Sequence, residues 1–460
     1  AHPDTRRRVA PGRARESRRS PPTGLAPAAW RAAVRGGASP TPYPRPRRRR
    51  RRAALRNSAS ACQHGYVPDP APASLDEPTA PAADLVAELT ELGLSAGLGA
   101  VGVASADPFT GTRAEIERRR DLGLHGGMQF TFRNPERSTD PSRTLAGARS
   151  LVVGAMRIAA PRLADVGAGR ARIAAYARHD HYADLRRALG VMADRLVSDS
   201  WKARVVADDN SLVDRAAAVR AGIGWYGRNG NVLLPGRGSW FVLGSVVTDA
   251  PLPPTDDAVP DGCGTCRRCI EHCPTDAIIE SGVIDARRCL AWLVQAPGSI
   301  PVEFRRPMGG RIYGCDDCQE VCPVGRTERV GDGTVDPAAD IEAAEVLTAS
   351  DEDLLARFGR WYIAERDPRY LRRNALVVLG NTADHTTPGV VDLFDRYLRH
   401  PDPMLRAHAV WAAAEAGLDD LLPALGHDPD PEVRDELRRA VGSTRPGHAA
   451  AGGAVSEATP

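Results

Sequence analysis

Residues 263–274 read Cys-Gly-Thr-Cys-Arg-Arg-Cys-Ile-Glu-His-Cys-Pro, and residues 315–323 read Cys-Asp-Asp-Cys-Gln-Glu-Val-Cys-Pro. The first stretch is C-x2-C-x2-C-x3-C-P. The second is C-x2-C-x3-C-P, a reduced repeat, and Cys289 lies between the two. Three thiolates spaced by two residues wrap one face of an Fe4S4 cube, and the fourth cysteine, before proline, points to a second cube. This assigns Cys263, Cys266, Cys269 and Cys322 to one cluster, and Cys273, Cys289, Cys315 and Cys318 to the other. Eight cysteines then complete two cubes. Zinc also uses C-x2-C pairs, but three cysteines at this spacing with a C-x3-C-P end favour iron and sulfur. His272 sits inside the motif with no coordination place left for it. Two adjacent cubes carry single electrons, so the rest of the chain must supply the site that consumes them.

Working outward, the 460 residues are 42% hydrophobic and 26% charged, enough for two or three domains with real cores. The net charge of +3 conceals an asymmetry. Residues 1–60 hold 17 arginines against Asp4 and Glu16, a surplus of 15, which leaves the other 400 residues at −12. Any nucleic-acid contact must therefore come from local basic patches. Residues 1–78, rich in Arg and Pro with a run at Arg47–Arg52, are expected to be a disordered tail. Cys62 in that tail reads as an idle thiol. Arg6–Arg8 are followed by no apolar stretch, so no export signal is expected, and no apolar run is long enough to span a bilayer. Residues 443–460 also read as a disordered tail. A cytoplasmic monomer is the expectation.

Residues 79–252 read as an α/β domain. Helical spacing runs over 82–94 and 182–197, and strand-like runs cover 100–104, 151–156, 205–207, 232–234 and 240–247. A helix is expected over about 213–221. Asp208 ends a strand just before it, so its plain reading is a helix N-cap; the other is a catalytic acid, and spacing alone does not separate them. Gly222, Gly224, Gly227 and Gly230 do not form a dinucleotide fingerprint. They read as a tight turn, or as a place where backbone approaches a large flat ligand closely. Residues 253–330 form the two-cluster, ferredoxin-like module. In residues 331–442, the stretches opening at Asp367-Pro, Asp402-Pro and Asp430-Pro echo one another, each starting an Ala/Val/Leu-rich helix with Asp as cap and Pro in the first turn. These are HEAT-like helical repeats.

That order of domains resembles the epoxyqueuosine reductase family, cobalamin-dependent iron–sulfur enzymes of tRNA queuosine synthesis, over residues of about 80 to 440. Asp208-Asp-Asn-Ser-Leu-Val-Asp-Arg215 sits where the family has D-S-A-P-V-L-E-R, which makes Asp208 the proton donor. Gly224-Trp-Tyr-Gly-Arg-Asn229 matches G-W-x-G-K-x, and Gly238-Ser-Trp-Phe-Val-Leu-Gly244 matches G-S-W-F-x-L-G. Arg311–Gln319 matches the loop over the second cube, and Arg373-Asn374 with Gly380-Asn381 match the R-N and G-N of the first repeat. The departures are Asp209, Asn210 and Ser211 after the acid, Arg228 for lysine, His181-Tyr182 for Y-H, a partial His125–Met128 segment, and Pro323-Val-Gly325 for P-W-N.

The resemblance implies reduction of epoxyqueuosine at the tRNA wobble position, with cobalamin fed by the two clusters. It implies a cofactor site of Met128, Asp180, Asp208, Trp225, Asn231, Ser239 and Asp316. It also implies tRNA contacts drawn from Arg305, Arg306, Arg311, Arg372 and Arg373, and an external donor of ferredoxin or flavodoxin type. The competing readings are a dehalogenase-like cobalamin reductase and a plain electron-transfer protein. The first lacks helical repeats, and the second needs no 170-residue domain carrying an acid.

Overall fold

A computed structural model of the chain describes residues 80–158, 167–255, 258–325, 336–384, 386–387, 389–422 and 427–442. The expectations for residues 1–78, Cys62 and 443–460 lie outside these residues.

The first core is a four-stranded sheet in the order Ala100–Ser105, Ser150–Arg157, Phe241–Thr248, Ala203–Val206. Its strands alternate between two buried faces. Val103, Val152, Val242 and Val246 pack with Leu185, Leu189, Met192 and Leu196 of the helix His181–Ser198 and with Leu89 of the helix Ala80–Ser95. Leu151, Val153, Ala155 and Val247 face the other way, against Ala216–Ala218 of the short helix Asp214–Arg220. That Ala-rich helix comes very close. A Cβ on Gly102 would stand 2.2 Å from the Ala221 carbonyl oxygen, so only glycine fits there.

Every pairing in this sheet is antiparallel. The expected α/β domain is therefore corrected to α+β. Helices cover both faces, so each strand becomes a continuous apolar run, the pattern ordinarily left by parallel sheets.

A second, three-stranded sheet stitches the sequence together. Arg170–Ile173 pairs parallel with Arg311–Tyr313 and antiparallel with Asp340–Glu342. A strand from the first region thus sits between strands on either side of the last cluster cysteines.

The C-terminal helices Arg369–Thr382, Val390–Leu398, Pro403–Glu415 and Pro431–Gly442 form the repeat region. The Asp-Pro openings act as read: Asp402 accepts from the Met404 amide at 2.8 Å, and Asp430 from that of Glu432 at 2.8 Å. The arginine ending each echo has an internal task. Arg406 forks onto Asp428 at 2.8 and 2.9 Å, and Arg434 donates to the Asp428 and Pro429 carbonyls. In the first repeat, Arg372 donates to the Ala349 carbonyl and pairs with Asp351.

The first repeat helix is clamped to the cluster region by buried polar groups. Arg373, 1% exposed, donates to the carbonyls of Leu293, Val294, Ala296 and Gly298, and Asn374 to those of Val294 and Ile312. Asn381 bonds the Arg305 and Gly309 carbonyls. Gly380 is required because a Cβ there would meet Ala412 and the Trp411 ring at 2.8 Å. Burial lowers the Arg373 pKa to about 9, so the guanidinium stays charged near neutrality, held by carbonyl dipoles. Removing it strands several carbonyls in a dry interior. Arg373→Met is expected to cost about 2–4 kcal/mol in urea unfolding. Arg306→Met, at an exposed pair with Glu415, should cost under about 0.5 kcal/mol.

No helix among the described residues is long and apolar enough to cross a membrane.

Candidate functional site

The eight cysteines are all free thiols and partly accessible. They sort into the two expected sets. Cys263, Cys266, Cys269 and Cys322 line one cavity together with Arg228 and Arg268. Cys269 and Cys322 each feel the charges of Cys263 and Cys266. In the second set Cys289 feels Cys273, Cys315 feels Cys289, and Cys318 feels both Cys315 and Cys289. Cys318 also feels Cys269, so the two sets adjoin. Burial raises the thiol pKa values of Cys269, Cys289, Cys315, Cys318 and Cys322, to about 11 for Cys269, and coordination to a metal offsets that by taking the thiolate outright. No three described His, Cys, Asp or Glu side chains converge tightly enough for one ion.

Asp208 follows the strand Ala203–Val206 on a loop held from several sides. Arg186 donates to the Ala207 carbonyl at 3.2 Å, Asn210 accepts from the Thr131 amide at 2.8 Å, and Thr144 donates to the Ser211 carbonyl at 3.1 Å. The loop holds Asp208 at φ +55°, a left-handed conformation that costs a non-glycine residue energy and gathers at functional sites. The N-cap reading fails here. The helix begins at Asp214, its cap position is Val213 with no side-chain cap, and Asp209 accepts from the Ser211 amide instead. Asp208 is open to solvent on one side, and the protein around it strips enough water to raise its pKa to about 6. Arg186 opposes the rise and Asp209 adds to it.

Three tyrosines that the sequence reading did not place beside the acid border it. Tyr176, Tyr182 and Tyr313 all feel the Asp208 charge, and burial holds their phenols neutral. The Tyr176 and Tyr313 ring centroids stand 6.3 Å apart, and Tyr313 stacks on Trp361 at 4.2 Å. Tyr313 lies in the motif loop Arg311–Gln319 and Tyr182 in the departing His181-Tyr182 pair, whereas Tyr176 lay outside every motif. Asp316 joins the same group: it is buried, its pKa is raised to about 6 by burial, and it accepts from the Ala175 amide at 2.7 Å. Ser239 donates to Gln319 at 3.0 Å. Ser239 and Asp316 thus anchor the second-cluster loop beside Asp208.

The other expected cofactor residues are less concentrated. Asp180 caps the helix His181–Ser198, accepting from the Ala183 amide at 3.0 Å. Met128 and Asn231 are half-buried in turns. The Trp225 ring lies over Gly262, where a Cβ would come within 2.7 Å, and its Nε1 is buried with no partner among the described residues. The glycine turn does not open to a ligand. Cβ atoms on Gly224 and Gly227 would strike Leu233 at 2.2 and 2.1 Å, so the chain's own hairpin makes the close approach.

Two of the arginines expected to meet tRNA are corrected. Arg305 is buried against Glu436 at 3.1 Å, and Arg373 is the clamp described above. Both are inside because the repeat helix docks on the cluster segment, which no local pattern reveals. Arg306, Arg311 and Arg372 are each paired with a carboxylate.

Two sets of four cysteines, in a chain that also carries an accessible acid with a raised pKa, fit an iron–sulfur oxidoreductase. Residues 262–325 match the 4Fe-4S double cluster binding domain, and residues 360–445 match HEAT repeats. The chain is 31% identical to the epoxyqueuosine reductase of Bacillus anthracis, over 75% of this chain and 93% of that one. It is 34% identical to that of Xanthomonas campestris, over 73% and 97%. A crystal structure of epoxyqueuosine reductase with an epoxyqueuosine-modified tRNA-Tyr stem loop superposes at a TM-score of 0.70, with 28% identity, covering 78% of this chain and 99% of that one. The chain belongs to the epoxyqueuosine reductase family.

Proposed function

We propose that the chain reduces epoxyqueuosine to queuosine at the wobble position of a tRNA anticodon. The observation that carries this reading is the placement of Asp208, a strained, accessible acid with a pKa near 6, directly beside the loop of the second cysteine set. Removing an epoxide oxygen as water, leaving an alkene, consumes two electrons and two protons. Electrons enter through the clusters from an external donor of ferredoxin or flavodoxin type. Asp208 delivers a proton to the departing oxygen, and its accessible side returns a proton from solvent. Tyr176, Tyr182 and Tyr313, held neutral, offer hydroxyl groups to the same site.

Cobalamin fits as the cofactor. Trp225 Nε1 and His181 Nε2 are each buried without a partner among the described residues, and an unpartnered buried polar atom leaves room for a polar ligand to bond it. Trp225, His181 and Asp208 would hold it, with Met128, Asp180 and Asn231 at the margin. When bound, it supplies the low-potential reduction that no side chain offers. Ser239 and Asp316 act indirectly, by fixing the second-cluster loop.

The test is an anaerobic assay with reconstituted protein, cobalamin, a low-potential reductant and an epoxyqueuosine-bearing stem loop. The protein should hold about eight irons, and the product should lose one oxygen by mass. Stoichiometric zinc with little iron, or unchanged RNA with both cofactors loaded, would overturn the reading.

A further inference from the structure

Four of the six positive-φ residues that are not glycine, Thr131, Asp208, Glu365 and Arg366, fall on three loops. Contacts join those loops. Asn210 accepts from the Thr131 amide, and the Trp292 indole donates to the Gly126 carbonyl at 2.8 Å. Trp292 stacks on Tyr362 with centroids 6.3 Å apart and planes at 29°. The Tyr313 hydroxyl, beside Asp208, donates to the Tyr362 carbonyl at 3.2 Å. Backbone strain gathered on linked loops points to a binding site, whose mouth these loops would form.

Tyr362 is distinctive within that mouth. Its neighbours Trp361 and Ile363 are 6% and 7% exposed, while Tyr362 is 54% exposed. Its ring is backed by the buried indole of Trp292, which leaves the opposite face free. The cations nearby differ from those first expected to meet RNA. Arg360 gives its guanidinium to the Ala177 and Arg178 carbonyls, and Arg366 to that of Gly359. Neither forms an ion pair among the described residues. Each therefore keeps its positive charge, on a chain whose residues 61–460 sum to −12. An open aromatic face flanked by unneutralised arginines is how proteins take up single-stranded nucleotides.

We propose that Tyr362, backed by Trp292, is a stacking platform for an anticodon-loop base next to the one entering the Asp208 site, with Arg360 and Arg366 facing the adjoining phosphates. This rests on the tRNA reading above. A nearby base parked on Tyr362 would hold the loop splayed, so that the modified base reaches the acid.

The test uses the full chain with both clusters, and synthetic anticodon stem-loop RNA carrying 2-aminopurine at each loop position in turn. One position flanking the wobble base should be quenched on binding. Tyr362→Ala should abolish that quenching and weaken RNA binding roughly 5- to 100-fold, whereas Tyr362→Phe should retain both. Arg366→Gln should lower the slope of log affinity against log salt by about 0.7, the share of one single-strand phosphate. Unchanged affinity and quenching in Tyr362→Ala, at full iron content, would overturn the platform. So would loss of cobalamin binding with RNA binding intact. Failure of the wild-type chain to bind the stem loop would instead overturn the tRNA reading.

Discussion

Asp208→Asn is expected to slow turnover by roughly two to four orders of magnitude, the range a general acid contributes, while cluster content and RNA binding stay intact. Asparagine suits this test. It is nearly isosteric, and among non-glycine residues it is one of the most tolerant of the left-handed backbone that Asp208 adopts at φ +55°. The fold should not suffer. The carboxyl is held above its usual pKa of 3.8, so the folded state disfavours its charge. Its ionisation therefore removes stability as pH rises from about 3.8 toward 6, and a neutral amide avoids that loss. The pH profile separates a proton donor from a structural residue. A general acid works when protonated, so kcat/KM should fall as pH rises through about 6 in the wild type, and that limb should vanish in Asp208→Asn. Asp209→Asn removes the like charge that helps raise the Asp208 pKa. It should keep the limb and shift it to lower pH. Equal rate losses in both variants, or an unchanged limb in Asp208→Asn, would remove Asp208 from the chemistry.

The parts of this molecule that could be read from the chain are those whose physics is local. Cysteine spacing fixes which thiolates share a cube, because ligands two residues apart can reach only one face. Asp-Pro openings fix helix starts, because a side-chain oxygen and a preset φ act within one turn. What escaped was set by distant packing. The antiparallel sheet looked α/β because helices bury both its faces, which erases the alternation that tells the two arrangements apart. Arg305 and Arg373 looked like surface cations, since nothing adjacent to them announces that Arg373 will dock on carbonyls 75 to 80 residues away, or Arg305 against Glu436 in the last repeat helix. The Tyr176, Tyr182 and Tyr313 shell was invisible for the same reason: three phenols from separate segments meet only around Asp208. Asp208 itself fell between the two cases. Its neighbours allowed a cap or an acid, and only the backbone path, with Val213 at the cap position, separated them.

Serine substitution of single cysteines should deplete the clusters crosswise, and this is the second large effect. Cys322 shares a cavity with Cys263, Cys266 and Cys269 although it lies in the distant motif, while Cys273, four residues from Cys269, belongs with Cys289. Cys322→Ser and Cys263→Ser should therefore damage the same cube, lowering iron from about eight toward four and leaving one spectroscopic signal. Cys273→Ser and Cys289→Ser should remove the other signal. The double variant Cys263→Ser with Cys322→Ser should lose no more iron than either alone, whereas Cys263→Ser with Cys289→Ser should lose both cubes. Turnover should drop below detection in each single variant, because a broken wire cannot be bypassed by proton chemistry at Asp208. A further contrast follows from position. The second set adjoins Asp208 through Tyr313, so Cys289→Ser should leave the first cube reducible by an external donor but unable to pass electrons on. Loss of the first cube by Cys322→Ser should instead slow reduction of the second. If Cys322→Ser and Cys273→Ser deplete the same signal, each motif holds its own cube, and the crossed wiring of the two motifs is wrong.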